Sequence, residues 1–312
     1  MEYKQTRQGY ADALIELARD NPRVLVLDSD VAKASKTCDF AAVFPDRFFN
    51  CGVQEQNMIS VAAGLAIEGF LPFATTFAAF AAFRAGDQVR NSIAYPKLNV
   101  KIGATHGGIS TGGDGASHQA NEDLALMRSF PNMTVIVPGD YEEARLATKA
   151  AAEHVGPVYL RFGRDNYPVI EQIHTDFSIG KAKLIREGTD LTIISTGIMV
   201  GEALLAAREL LNSGISTRVI HMPTIKPLDV EIILQAANQT RGIVTAEEHS
   251  ILGGLGEAVA GIVSENCPVP VKRVGIRDTF GESGTASELL TRYGLRARDI
   301  VRAANALCTE HI

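Results

Sequence analysis

The chain has 312 residues, enough for two domains that each bury a core of their own. Apolar residues make up 46% and charged residues 21%, the balance of an ordinary folded protein, which excludes a disordered or fibrous chain. Lys plus Arg is 30 against 36 Asp plus Glu, a net charge of −6, and no basic block of five or more residues occurs, which argues against a nucleic-acid partner.

The first residues, Met1 to Arg7, lack the apolar run of a secretory signal, so the expected location is the cytoplasm. Apolar spacing then predicts a helix around 11–18 and a strand over 24–27 that ends in Asp28-Ser29-Asp30. A helix over 57–67, a strand over 71–75, a helix over 79–94 and a strand over 100–105 follow. The uncharged stretch from Gly69 to Phe83 is interrupted by Pro72 and is too short to span a bilayer, so no membrane segment is expected. Beyond a glycine-rich stretch come a helix over 122–128, a strand over 134–137, a helix over 141–153 and a strand over 158–161. The pattern fades over 166–188, the expected linker, and resumes with strands over 191–195, 217–221, 242–246 and 271–274 between helices over 200–211, 230–237 and 255–265. Helices over 286–293 and 297–307 end the chain. Such alternation predicts two doubly wound α/β domains, 1–165 and 189–312, each a parallel sheet covered on both faces.

The four cysteines have no CxxC spacing and the histidines form no HxxxH pair, so the expectation is reduced thiols and no zinc site within the chain. In the second domain Gly253-Gly254-Leu255-Gly256 opens a helix but lacks the third glycine of a dinucleotide fingerprint, with Val259 in its place. Glu247-Glu248-His249 suggests acid–base work only on its face.

In open α/β sheets ligands bind beyond the carboxyl ends of the strands. Three such segments are rich in polar groups: Gly52-Val53-Gln54-Glu55-Gln56-Asn57, the run from Thr105 to Gln119 with glycines between His106 and His118 around Asp114, and Arg161-Phe162-Gly163-Arg164-Asp165-Asn166. Each alone is equally well a helix start or a plain loop. Phe77, Phe80 and Phe83 recur every three residues, as on one face of a helix, which by itself describes a core stripe.

Together these segments resemble the second half of transketolase, the thiamine diphosphate family that moves two-carbon ketol units between sugars. The resemblance spans essentially the whole chain and rests on Gly52-Val53-Gln54-Glu55-Gln56-Asn57-Met58, on Thr76-Phe77-Ala78-Ala79-Phe80-Ala81-Ala82-Phe83, and on Gly113-Asp114-Gly115-Ala116-Ser117-His118-Gln119, in the family's order. It implies a pyrimidine-binding domain followed by a transketolase C-terminal domain with a role in dimer packing. The family's diphosphate-binding domain and its metal motif are not found in the chain: Gly113-Asp114-Gly115 is followed by Asn121 and Asn132 at the wrong distance. The resemblance therefore implies that an N-terminal transketolase subunit holds the diphosphate and its Mg2+ or Ca2+, in a heterotetramer of two plus two chains.

By the same resemblance Glu55 is the carboxylic acid at the cofactor's ring nitrogen N1′. It is expected in an apolar pocket that favours its protonated form, against the pull of the helix start behind it. Phe80 would stack on the aminopyrimidine, Phe77 and Phe83 would wall the pocket, and Asp30 would stand near the cofactor. Asp114 and His118 would hold the sugar's hydroxyl or carbonyl end, His118 also shuttling protons. Arg7, His106 and Arg164 would clamp an anionic tail, phosphate or sulfonate.

Two positions depart from the pattern. Gln56 stands where single-chain transketolases have His, and the serine that often helps bind phosphate falls near Ala34 or Ser35. The rival readings are a subunit like 1-deoxyxylulose-5-phosphate synthase or the 2-oxo-acid dehydrogenase E1 β chain, and, in another class, a non-catalytic assembly subunit. The run from Gly113 to Gln119 followed by Asn121-Glu122-Asp123-Leu124 and Arg128 favours the sugar enzymes over the dehydrogenase, and Glu55, Asp114 and His118 together argue against the assembly subunit.

Overall fold

The computed structural model describes residues 2–174 and 176–309. Its strands are β1 (Tyr3–Gln5), β2 (Val24–Asp28), β3 (Phe48–Asn50), β4 (Leu71–Phe77), β5 (Lys101–Thr105), β6 (Thr134–Ile136), β7 (Val158–Arg161), β8 (Asn166–Pro168), β9 (Lys183–Arg186), β10 (Leu191–Ser195), β11 (Thr217–His221), β12 (Thr224–Lys226), β13 (Ile243–Ser250) and β14 (Val271–Ile276). One sheet runs β12-β6-β7-β5-β4-β2-β3 and a second runs β14-β13-β10-β11-β9, while β1 and β8 form a separate two-stranded ribbon. The protein is thus built from two doubly wound α/β units.

The central strands are parallel, as their unbroken apolar runs require, because helices cover both faces. The edges correct the all-parallel expectation: β12 pairs antiparallel with β6, and β9 antiparallel with β11. Strand β12 lies in the second half of the sequence yet completes the sheet of the first, so one hydrophobic cluster runs through both halves, joining Val135, Val137 and Tyr159 with Ile194, Ile220, Met222 and Ile225. Polar ties reinforce it. Lys226 Nζ donates to the carbonyls of Arg128 and Phe130 at 2.9 and 2.6 Å, and the buried His221 and Glu143 side chains meet at 2.5 Å. The segment expected as a linker holds β8 and β9 and is part of the fold.

The helix expected over 79–94 does not form as one rod. Phe80–Arg84 and Val89–Ala94 are π-helical, with a short α-helical piece, Gly86–Gln88, between them. The Ala85 N–H reaches the Phe80 carbonyl and the Tyr95 N–H that of Arg90, bonds five residues apart. This wider winding undoes the three-residue stripe: Phe77 closes strand β4, and Phe83 is 51% exposed.

Candidate active site

Strands β2, β4, β5 and β7 run in one direction and deliver Asp28, Phe77, Thr105 and Arg161 to one edge of the first sheet. His106 follows β5 in a left-handed conformation, φ 61°, unusual for a residue with a side chain. Its ring is buried and lies on Phe77, centroids 3.9 Å apart at 26°. Phe77 in turn stacks on Phe80 at 5.8 Å, and His118 meets the Phe80 ring edge-on at 5.1 Å. Four rings from three chain segments therefore make one aromatic wall.

His106 Nδ1 lies 3.0 Å from Thr105 Oγ1, and Nε2 lies 3.4 Å from Arg7 Nη1. Because a guanidinium only donates, Nε2 accepts and Nδ1 carries the proton of a neutral ring. Burial, reinforced by the charges of Arg7, Arg164 and His118, pushes this imidazole down to about 3. Arg7 sits at the start of helix Thr6–Asp20 and also donates to the Ala34 carbonyl at 2.6 Å. Ser35, by contrast, is buried and donates to Asp28 Oδ2 at 3.1 Å. The residue facing Arg7 is thus Ala34, which offers a carbonyl where a serine would offer a hydroxyl.

Arg164 Nη1 donates to the Thr111 carbonyl at 2.5 Å and lies 3.3 Å from Asp114 Oδ1. Arg7, Asp114 and Arg164 line one cavity of about 680 Å3, closed on the other side by Gly284, Thr285, Ala286 and Glu288 of the second unit. The 3-10 turn Ile109–Asp114 that carries Asp114 is pinned from within by Gln119, whose Nε2 donates to the carbonyls of Ile109, Gly112 and Glu282. A deeper support lies below: Arg161 Nε donates to Asp123 Oδ2 at 2.9 Å and Arg161 Nη2 to the Ala120 carbonyl at 2.8 Å, all buried.

Glu55 opens helix Glu55–Ile67 and is only 1% exposed. It does not face apolar walls alone, as its expected role suggested: Arg84 Nη1 donates to both carboxylate oxygens, at 2.9 and 2.8 Å. The Arg84 guanidinium carbon also lies 4.1 Å from the centroid of Phe80. Contacts therefore run unbroken from Glu55 through Arg84, Phe80, Phe77 and His106 to Arg7 and the cavity. Asp30 stands apart. It is exposed at the end of β2, with φ 66°, and accepts from Asn50 Nδ2 at 2.9 Å.

The sequence reading missed Arg84, Gln119 and Glu248. Arg84 did leave a mark, being the first charge after the uncharged stretch that ends at Phe83. Gln119 and Glu248 act through partners distant in sequence, Glu282 and Ser110, and left no local mark.

Among known proteins, residues 2–169 match the family model for the transketolase pyrimidine-binding domain, and residues 180–300 that for the transketolase C-terminal domain. The chain is 46% identical to the 6-deoxy-6-sulfo-D-fructose transketolase subunit SqwH of Clostridium sp. (strain MSTE9), over 98% of this chain and 95% of that protein. It is 40% identical to one subunit of the apulose-4-phosphate transketolase of Phocaeicola vulgatus, over 96% of each. A solved split-gene transketolase, an inactive β4 tetramer, superposes with a TM-score of 0.92 at 52% identity, covering 98% of both chains. With both domains matched in order and relatives of this similarity along almost its whole length, the chain belongs to the transketolase family.

Proposed function

We propose that this chain is the C-terminal subunit of a thiamine diphosphate-dependent transketolase. It would transfer a two-carbon ketol unit from a ketose bearing a phosphate or sulfonate tail to an aldose phosphate. The observation that carries this reading is the unbroken line of contacts from buried Glu55, along the aromatic wall, to the cation-lined cavity at Arg7 and Arg164. One end suits a flat, nitrogen-bearing ring and the other an anionic sugar.

The residues present fit the aminopyrimidine half of the cofactor: a buried carboxylate lies beside stacked Phe77 and Phe80. They do not fit its diphosphate and metal half, since among the described residues no group of three or more His, Cys, Asp or Glu is placed to hold a metal ion. We therefore assign diphosphate and Mg2+ or Ca2+ to an N-terminal partner subunit, in a two-plus-two heterotetramer working in the cytoplasm. When bound, thiamine diphosphate supplies the nucleophilic carbon that carries the ketol unit. Glu55 would hold a proton at the ring nitrogen, and the aromatic wall would fix the ring and exclude water. His118, at the junction of wall and glycine-rich loop, would move a proton at the substrate oxygen. Arg7, Arg164 and neutral His106 would bind the tail, and Asp114 a sugar hydroxyl. The relatives named for a sulfosugar and for a sugar phosphate support an anionic tail of either kind.

The test mixes this chain with its candidate partner, thiamine diphosphate and Mg2+, and follows ketol transfer from a ketose phosphate, with each chain alone as control. Transfer should require both chains and should fall about 10²- to 10⁴-fold in a Glu55→Gln variant. Equal rates for variant and wild type would overturn the reading and revive a non-catalytic subunit.

A further inference from the structure

The reading of Glu55 as the ring-nitrogen partner leaves one contact without a role. Arg84 Nη1 occupies both oxygens of Glu55, at 2.9 and 2.8 Å, while its guanidinium carbon lies 4.1 Å from the Phe80 ring centroid. The carboxylate is 1% exposed and the arginine side chain 43%, so the guanidinium is the layer between a buried carboxylate and solvent. Its placement follows from the backbone. Arg84 ends the π-helical turn that Phe80 begins, and four residues is close to one full turn of that winding, which returns the arginine over the phenylalanine.

A planar group that donates N–H to Glu55 and lies against Phe80 makes the two contacts that an aminopyrimidine would make there. One carboxylate edge and one ring face do not serve both at once. We propose that Arg84 is a placeholder for the aminopyrimidine: it fills the ring's position in the subunit without cofactor and withdraws toward solvent when the cofactor enters. The long, rotamer-rich side chain suits this, because its outer end is already in water and only its planar head is engaged. Arg84 then lowers cofactor affinity by the fraction of molecules in which it holds Glu55, and it keeps a buried carboxylate paired until a partner arrives.

This inference rests on the proposed role of Glu55, and the experiment separates the two. Arg84→Met removes the donors and keeps an apolar stem over Phe80. In the reconstituted two-chain complex with Mg2+, thiamine diphosphate affinity is measured calorimetrically for wild type, Arg84→Met and Glu55→Gln. Arg84→Met should bind about tenfold tighter, as expected when a competing occupant is removed, and Glu55→Gln should bind more weakly. Unchanged or weaker binding by Arg84→Met, with Glu55→Gln weakened, overturns the placeholder and makes Arg84 a support of the bound ring. Unchanged binding and transfer in Glu55→Gln instead overturn the role of Glu55 itself. Arg84→Gln, which is shorter and uncharged, is expected to move affinity in the same direction and serves if the methionine variant does not fold.

Discussion

Glu248, on β13 of the second unit, accepts a hydrogen bond at 2.5 Å from the backbone N–H of Ser110 in the glycine-rich loop of the first. The loop that carries Asp114 is therefore held from outside its own domain, by a group the sequence presents as an incidental acid beside Glu247 and His249. Cutting this tie by Glu248→Ala leaves a buried N–H unpaired, a loss of about 1–3 kcal/mol.

Burial pushes the Glu248 carboxyl up to about 7, against the opposing pull of Arg161. The folded state thus retains a proton that the unfolded chain releases near pH 4.5. The stability tied to this group is fully present below pH 4.5 and is lost as pH rises through about 7. Thermal melts from pH 4.5 to 8 should show wild type losing ground to Glu248→Gln across that window, with a constant gap above it. Parallel curves for the two proteins would refute the assignment.

Gly108 adjoins the same carboxylate. Its φ is +88°, and a Cβ there would lie 2.4 Å from Glu248 Cδ. Gly108→Ala should therefore cost about 1–3 kcal/mol in backbone strain and a further amount from the collision. Adding Glu248→Ala should relieve the collision and leave the strain, so a double-mutant cycle is expected to be non-additive. Simple additivity of the melting shifts would show that the two groups do not meet.

His106 titrates the other way. Held down to about 3 by burial and by Arg7, Arg164 and His118, it stays neutral in the fold where the unfolded chain takes up a proton near 6.5. Its contribution is present above pH 6.5 and is lost as pH falls toward 3. Replacement by Gln should flatten the acid limb of the stability curve. It should leave the shape of the KM profile between pH 5 and 8 unchanged, and an inflection that vanished with the histidine would contradict its neutral state.

Arg7 is fixed by the Ala34 carbonyl and by His106, so its free donors point to a set place. Arg7→Ala should raise KM for a phosphorylated or sulfonated ketose about 10- to 100-fold, the loss of about 1.5–3 kcal/mol from a charged hydrogen bond. kcat should change little, since this is binding common to ground and transition states. Arg7→Lys should rescue only in part, because an ammonium lacks the paired donors. An equal effect on an uncharged ketose would remove the anion-binding role.

Much of the fold was legible because buried parallel strands such as Val24–Asp28 and Leu191–Ser195 are uniformly apolar and announce themselves over a few residues. Strand β12 was not, since three residues gain meaning only from Ile136 and Val135, about ninety positions earlier. The bend at Phe80–Arg84 was hidden for another reason: apolar content predicts burial, and says nothing of whether a turn closes over four residues or five. The same division holds at the site. The loop residues from His106 to His118 stood out by composition, whereas Arg84 drew notice only through the structure, where an ordinary arginine proves to cover Glu55.

The strand Thr224–Lys226 has a practical meaning for anyone dissecting this protein. A fragment ending after the first domain match, at residue 169, would leave Thr134–Ile136 with an unsatisfied row of N–H and C=O groups along an open flank, an invitation to stick to other copies. It would also strip the cavity of the wall formed by Gly284 to Glu288. Recombinant work on the cofactor pocket therefore has a minimum unit, and that unit reaches well past the boundary at which domain models divide the chain.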